Sequence, residues 1–230
     1  MQQALYLIFN EGYYSAGDQL VDRELCRQAI VLVRSLCRSF PSPESIGLLS
    51  LMLFQDARAP ARVTELGEIV TLDEQDRSLW KHQQSQEADV LLQKALRSGI
   101  AGSYQLQAAI AGLHSLAEQA ADTDWPQIVG LYQRLLQVQW SSVIELNYSV
   151  ALMMAGDLPG ASKIIASLEG ELQAYSPFFA AQARLFELLD DPTAAALALE
   201  KATAVSDSQP ERRHYRLRLS KMGYHSSGSH

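Results

Sequence analysis

The side chains best spaced for chemistry lie in residues 103–121, a stretch with helical periodicity. Tyr104, Gln107, Ala111 and His114 follow one another at steps of three and four, so they share one face of a predicted helix. Polar and aromatic side chains beside a small residue can line a groove that binds a peptide. They can also line a pocket for a small-molecule sensor or an unrecognised enzyme, and the sequence leaves these uses open.

A purely structural role competes with binding at the same place. Gln105, Gln107 and His114 can instead satisfy buried backbone groups, which is the commoner use of buried polar side chains. Asn147 lies in the middle of predicted helix 141–155, where Asn is a poor helix former unless it has a partner. It can hold the backbone of a bound peptide or bond to a neighbouring helix, and the sequence favours neither.

Alternating charges form a second candidate group, the charged insert network. Its members are Asp56, Arg58, Arg62, Asp76 and Arg77. Arginine and carboxylate groups form bidentate pairs, so we expect such pairs to pin an irregular segment to the helices. The alternative is a charged docking surface, and the two uses are compatible.

Signatures of catalysis and of cofactor binding are missing from the sequence. It contains no Gly-rich phosphate loop, Gly-x-Ser-x-Gly elbow, His-Glu-x-x-His motif or cysteine pair at zinc spacing. Cys26 and Cys37 stand eleven positions apart in a helical stretch. Their backbones should therefore lie about 16 Å apart, too far for a disulfide. We expect no catalytic residue, no metal and no cofactor.

Helical periodicity dominates the elements that must position these residues. Apolar residues at steps of three and four, interrupted by Pro and Gly, predict helices joined in pairs by short turns. The predicted helices span residues 20–40, 43–54, 80–97, 103–121, 124–138, 141–155 and 209–222. The three tryptophans near predicted helix starts, Trp80, Trp125 and Trp140, are expected to pack in the core. The expected fold class is all-α, an antiparallel helix-hairpin array like the tetratricopeptide superhelix.

An internal repeat in the last third supports this class. Residues 156–161 (Gly-Asp-Leu-Pro-Gly-Ala) align with residues 190–195 (Asp-Asp-Pro-Thr-Ala-Ala) at an offset of 34. A period of about 34 residues, with Ala161 and Ala195 where helices approach closely, is typical of tetratricopeptide repeats. One helix pair cannot cover its own apolar face, so stacking of pairs should create the core.

One segment, residues 56–79, does not fit the helix pairs. Gly67 lies between short β-prone flanks, which predicts a small irregular or β-hairpin insert. With this insert, residues 1–222 are expected to form a single tetratricopeptide-like domain. Residues 223–230, rich in Ser, Gly and His, are expected to be a disordered tail or a cloning remnant.

Composition limits the classes of partner. The formal net charge of −7 opposes the positive surface that binds a phosphate backbone, so we expect no direct contact with nucleic acid. No apolar run approaches the roughly 20 residues that cross a bilayer. The N-terminus lacks a basic start and a signal-peptide cleavage site. The sequence therefore predicts a cytoplasmic protein without membrane contact.

Several separated motifs together resemble one family over nearly the whole chain. They are residues 5–13 (Leu-Tyr-Leu-Ile-Phe-Asn-Glu-Gly-Tyr), 56–62, 73–80, 103–111 with His114, 124–125 (Asp-Trp) and 145–147 (Glu-Leu-Asn). In this order they resemble the long C-terminal extension of one group of extracytoplasmic-function (ECF) RNA polymerase sigma factors. Tyr148 departs from the resemblance, because an arginine is expected after Leu-Asn.

The resemblance implies a tetratricopeptide-like helical extension that governs the activity of a sigma factor. Its implied partners are the sigma regions of the parent protein, RNA polymerase indirectly, and a regulatory protein. Genes of this family often lie beside those for small YCII-type proteins. The sequence lacks the two DNA- and polymerase-binding sigma regions, regions 2 and 4, so it looks like an excised extension or a truncated homologue. A free-standing adaptor that binds a peptide of an unrelated protein is the alternative.

Overall fold

The chain is all-α in the computed structural model, which describes residues 1–13, 22–97 and 99–224. The described residues contain eleven α-helices, and the expected helix-hairpin class is confirmed. The contacts divide the chain into two compact units, Met1–Gln139 and Trp140–His230. They are called the N-terminal unit and the C-terminal unit below. The single domain of residues 1–222 stays a prediction, and each unit is described by itself.

The N-terminal unit contains six helices, and four of them pack around α3. The six helices are α1 (Gln2–Tyr13), α2 (Arg23–Ser39), α3 (Pro43–Arg58), α4 (His82–Leu96), α5 (Ser103–Leu116) and α6 (Trp125–Val138). α3 packs against α1, α2, α4 and α5, and α6 packs against α5. Because α3 is covered on several sides, residues 48, 49 and 51–54 form an apolar set that is almost fully buried. Phe9, Val33 and Ala88 complete this core.

Local sequence explains where these helices begin. Asp22 caps α2 by accepting hydrogen bonds from two amides of its first turn. Ser42 forms a capping box with Ser45, and Pro43 supplies the fixed φ angle of the first residue of α3. Asp124 caps α6 by accepting a hydrogen bond from the amide of Gln127. The starts of α3 and α6 agree with the predicted boundaries to within one residue. α2 begins at Arg23, after its cap, whereas the predicted start at residue 20 lies outside the described residues.

The C-terminal unit is a run of five helices that pack on their neighbours in chain order. They are α7 (Ser142–Met154), α8 (Leu158–Leu168), α9 (Ser176–Leu188), α10 (Pro192–Val205) and α11 (Gln209–Lys221). α7 also packs against α9, one hairpin further along. Phe178, Ala183 and Leu199 are fully buried between these helices. This is the stacking of pairs that the repeat predicts.

The internal repeat is confirmed by two turns with the same hydrogen bonds. Asp157 N donates to Leu152 O and Asp191 N donates to Phe186 O, each at 2.9 Å, which closes the preceding helix. The left-handed residue of this motif is Gly156 in the first turn (φ 91°) and Asp190 in the second (φ 59°). Asp157 and Asp191 then cap the next helices.

The insert is irregular, with a single β-bridge between Val63 and Ile69 around the turn at Gly67 (φ 74°). It is flanked by two 3-10 turns, Ala59–Ala61 and Arg77–Leu79. The prediction began the insert too early, because α3 continues through Asp56 to Arg58.

Two further expectations need correction. α5 ends at Leu116 instead of residue 121, and a separate 3-10 turn, Ala120–Asp122, follows. Trp80 is buried, as expected for a core residue, but Trp140 is 60% exposed. The predicted tail from residue 225 lies outside the described residues. No helix in the described parts of the chain is both long and apolar enough to span a bilayer.

Candidate functional site

Tyr104, Gln107, Ala111 and His114 form one face of α5, called the polar stripe below. The stripe is half-buried, and the side chains at its two ends have different contacts. Near the start of the helix, the Tyr104 ring meets the ring of Tyr6 on α1 edge-on, with centroids 5.6 Å apart. Gln107 donates to the hydroxyl of Ser103, one turn earlier, at 3.0 Å. Burial, and the nearby carboxylate of Glu44, raise the pKa of the Tyr104 phenol. The stripe is therefore accessible in part, and its use as a binding groove stays a prediction.

Gln105 has the structural role that the sequence offered as the alternative. Its side chain is 2% exposed. Its Nε2 donates to the carbonyl of Ala95 at the end of α4, and its Oε1 accepts from the amide of Gly102, both at 3.0 Å. Gln105 thus joins the end of α4 to the start of α5. Without it, the Gly102 amide would lose its acceptor and the Ala95 carbonyl would lose one of its donors.

The carboxylate that caps α5 comes from another helix. Glu44, in the first turn of α3, accepts from the backbone amides of Tyr104 at 2.8 Å and Gln105 at 3.4 Å. A negative group at this end also complements the helix dipole. Sequence reasoning missed Glu44 because its partner lies 60 positions away. The only local hint was that Gly102, the residue before α5, offers no side-chain cap.

His114, at the other end of the stripe, is held in its neutral form. Its ring meets that of Trp125 edge-on at 5.1 Å. Burial lowers the pKa of His114 to about 3, and the charges of Arg58 and Arg77 act in the same direction. A shifted histidine is what a sensor or enzyme at this stripe would require, but the Trp125 contact also gives it a packing role.

The carboxylates of the charged insert network have partners other than the predicted arginines. Asp56 Oδ2 accepts from Lys81 Nζ at 2.7 Å and from Gln84 Nε2 at 2.8 Å. Asp76 accepts from the backbone amide of Ser78 at 2.9 Å and so caps the Arg77–Leu79 turn. The expected pairing of these aspartates with arginines is therefore corrected, since lysine, amide and backbone donors occupy them.

The arginines of the network contact carbonyl groups and rings. Arg62 donates to the carbonyl of Tyr13 and lies 3.8 Å from the centroid of its ring. Arg77 donates to the carbonyls of His114 at 2.8 Å and Ala117 at 2.7 Å, where the C-terminal end of α5 is electronegative. The insert is thus fixed to α1 by Arg62 and to α5 by Arg77, which is the pinning that the sequence favoured.

The structure brings the α5 stripe and the insert together in the N-terminal unit, whereas Asn147 belongs to the C-terminal unit. Asn147 is exposed on α7, beside buried Leu146. No described residue bonds to its side chain, which leaves the amide available for a partner. Among the described residues, no group of His, Cys, Asp and Glu side chains is arranged to hold a metal ion.

A surface groove that the sequence did not indicate lies where α1 begins and α2 ends. Its volume is about 600 Å³, and Met1, Leu36, Phe40 and Ser42 are among its lining residues. Phe40 is 70% exposed.

Comparison with known proteins gives relatives without an assigned activity. The family described as a family of unknown function (DUF6596) matches residues 1–96, which run from α1 to the end of α4. The uncharacterized protein R00370 of Rhizobium meliloti (strain 1021) is 38% identical over 217 residues, 94% of this chain. The match covers 51% of R00370, so the chain spans about half the length of this curated relative. No solved structure matches the chain.

Proposed function

We propose that this chain is the regulatory, protein-interaction extension of an ECF RNA polymerase sigma factor. In this role it modulates transcription initiation by contacting the sigma regions or a regulatory partner protein, and it reaches RNA polymerase indirectly. It acts in the cytoplasm, without a cofactor and without chemistry of its own. Its net charge of −7 fits a domain that leaves DNA contact to other regions.

One observation carries the proposal: four of the motifs that resemble the family, residues 5–13, 56–62, 73–80 and 103–114, are joined by contacts within the N-terminal unit. The opening motif is linked to residues 56–62 through Tyr13 and Arg62. Residues 73–80 are linked to the 103–114 motif through Arg77 and His114. The opening motif also meets the 103–114 motif through the Tyr6–Tyr104 ring contact. Motifs scattered along the chain thus serve one arrangement, which favours a common origin over chance matches.

The match to R00370 supports the proposal in a second way. About half of that relative lies outside the match. If a relative carries two sigma regions as well as the extension, those regions would form an unmatched part of this size.

The first test is to read the coding sequence that adjoins the codon of Met1. Sigma regions 2 and 4 encoded in frame support the proposal. An independent start codon, with no sigma region in the same reading frame, contradicts it and favours the adaptor.

The second test mixes this chain with separately produced sigma regions 2 and 4, after circular dichroism has verified that each part is folded. We expect a complex at tens of micromolar concentration. Asn147→Ala should weaken the complex if α7 contributes to the docking surface. Lys163→Ala, an equally exposed change on α8, is the matched control. No complex at these concentrations would count against docking between the extension and the sigma regions.

One observation favours the free-standing adaptor as a second candidate. The internal repeat of the C-terminal unit is of the type that binds peptides in many unrelated proteins. The adaptor would bind a peptide without any sigma region, so the same mixing experiment separates the two functions.

A further inference from the structure

Arg58 is a buried cation for which the described residues offer no partner. It is the last residue of α3 and is 9% exposed. Its Nε is enclosed and lacks a hydrogen-bond acceptor. No described residue forms a hydrogen bond or an ion pair with its guanidinium group. Buried charges in proteins are nearly always paired, because removal of a charge from water costs several kcal/mol. A buried arginine of this kind is expected to bind a hydrogen-bond acceptor that the described residues do not supply.

Trp80, in the segment whose backbone bonds to the end of α3, carries a second unpartnered donor. Trp80 is 4% exposed, and its indole Nε1 is buried without an acceptor. The Lys81 amide donates to the carbonyl of Ala57 at 3.0 Å, which fixes Trp80 next to the end of α3. An indole N–H can only donate. Arg58 and Trp80 therefore present two donors, and neither can satisfy the other.

The surrounding charge is positive. Arg77 lies 4.5 Å from the centroid of the Trp80 ring. Burial lowers the pKa of Arg77, and the charge of Arg58 acts in the same direction. The charges of both arginines also lower the pKa of His114, so the three groups lie within electrostatic range of one another. Arg77 has two carbonyl partners, and the exposed carboxylate of Asp122 opposes the lowering of its pKa. Arg58 has no comparable compensation.

We propose that Arg58 and Trp80 form a binding site for a small oxyanion, a phosphate or a carboxylate. The oxyanion accepts from Arg58 Nε and from Trp80 Nε1, and its charge compensates those of Arg58 and Arg77. Charge-assisted hydrogen bonds from a guanidinium group are among the strongest in proteins. The site lies where the insert meets α3 and α5, so an occupied site would tie the insert more firmly to these helices.

The test follows the indole N–H proton of Trp80 by NMR while sodium phosphate is added to the whole chain. Sodium chloride at equal ionic strength controls for salt, and sodium acetate tests a carboxylate. We expect a saturable shift of this proton with phosphate, acetate or both, and none with chloride. Trp80→Phe assigns the signal, because the variant lacks the indole proton. The variant also loses one donor to the anion, so roughly ten times more phosphate should be needed to give the same rise in its melting temperature as in the wild type.

The melting temperatures of two matched variants provide a second test. At about ten times the dissociation constant, the oxyanion should raise the melting temperature of the wild-type chain by roughly 3–6 °C. Arg58→Met should abolish this rise and should not lower the melting temperature in anion-free buffer, because it removes an unpaired charge. Arg34→Met removes the same charge from an exposed pair with Glu87 and should retain the rise.

The proposal is overturned if neither anion shifts the Trp80 signal, or if phosphate and acetate stabilise Arg58→Met and Arg34→Met equally. If Arg58→Met does not fold, the wild-type titration and Trp80→Phe decide, since neither depends on that variant. None of these outcomes depends on the sigma-factor proposal, which concerns binding to other polypeptides.

Discussion

The two units share the all-α class but differ in the regularity of their turns. In the N-terminal unit, helices are joined by side-chain contacts between residues far apart in sequence, such as Glu44 with the start of α5 and Arg77 with its end. In the C-terminal unit, the turns before α8 and α10 repeat the same local hydrogen bonds in successive helix pairs. Local rules therefore account for the C-terminal turns, whereas the N-terminal contacts require specific distant partners. This difference predicts which substitutions each unit tolerates.

The largest effect is expected where two helices of the N-terminal unit touch. A Cβ atom on Gly47 would lie 2.7 Å from Gln105 Cγ and 2.8 Å from its backbone nitrogen. Gly47→Ala should therefore lower the free energy of unfolding by about 3 kcal/mol. Gly130→Ala in α6 meets nothing within 4 Å and should raise it by up to about 1 kcal/mol. Urea unfolding measures both, and equal effects would contradict close contact between α3 and α5.

The second expectation concerns pH. The unfolded chain binds a proton at His114 near its ordinary pKa of 6.5, whereas the folded chain does so only near 3. The contribution of His114 to stability is therefore complete above pH 6.5 and is lost as pH falls towards 3. The loss is at most about 1.4 kcal/mol per pH unit. Between pH 6 and pH 4, His114→Gln should show a shallower decline in unfolding free energy than the wild type. Parallel curves would show that His114 titrates alike in both states.

The third prediction tests the link that Gln105 forms between α4 and α5. Gln105→Met keeps the volume but removes the acceptor of the Gly102 amide and one donor to the Ala95 carbonyl, so stability should fall by about 2 kcal/mol. Gln107→Met on the same helix loses only a bond to the Ser103 hydroxyl and should cost less than about 0.5 kcal/mol. Thermal denaturation distinguishes them, and reversed magnitudes would assign the structural role to Gln107.

The fourth prediction tests whether the two C-terminal turns are energetically equivalent. Asp157 and Asp191 each accept a hydrogen bond at 2.9 Å from the amide three residues later. Asp157→Ala and Asp191→Ala should each cost about 1 kcal/mol, with similar values because the cap geometry is the same. Denaturant midpoints of the two variants would reveal any large inequality, which would mean that packing and not the cap dominates one turn.

The smallest effect is expected at the one position where the two turns differ. Asp190 adopts φ 59°, a left-handed conformation that glycine, as at Gly156, adopts without strain. Asp190→Gly should stabilise the protein by roughly 0.5–1 kcal/mol, and Gly156→Asp should destabilise it by a similar amount. Calorimetry of both variants measures the pair. A loss of stability in Asp190→Gly would mean that the aspartate side chain compensates for its own strain.

Sequence could predict the features that depend on neighbouring residues. The caps at Asp124, Asp157 and Asp191, and the internal repeat of the last third, follow from short patterns. The partners of Gln105 and Glu44 could not be predicted, and neither could the lack of a partner at Arg58, because each depends on how α3, α4 and α5 meet. The charges of the insert were identified, but their pairing was wrong for Asp56, since Lys81 and Gln84 lie closer in space than sequence spacing suggests.

The carboxylate of Glu44 at the start of α5 makes one backbone amide a reporter of folding order. The Tyr104 amide finds its acceptor only when α3 and α5 have come together, so its protection against hydrogen exchange should begin with their docking. Amides in the middle of α5 can gain protection from the helix itself. During refolding, the time between protection of the amides in the middle of α5 and protection of the Tyr104 amide would separate the formation of the helix from its packing in the unit.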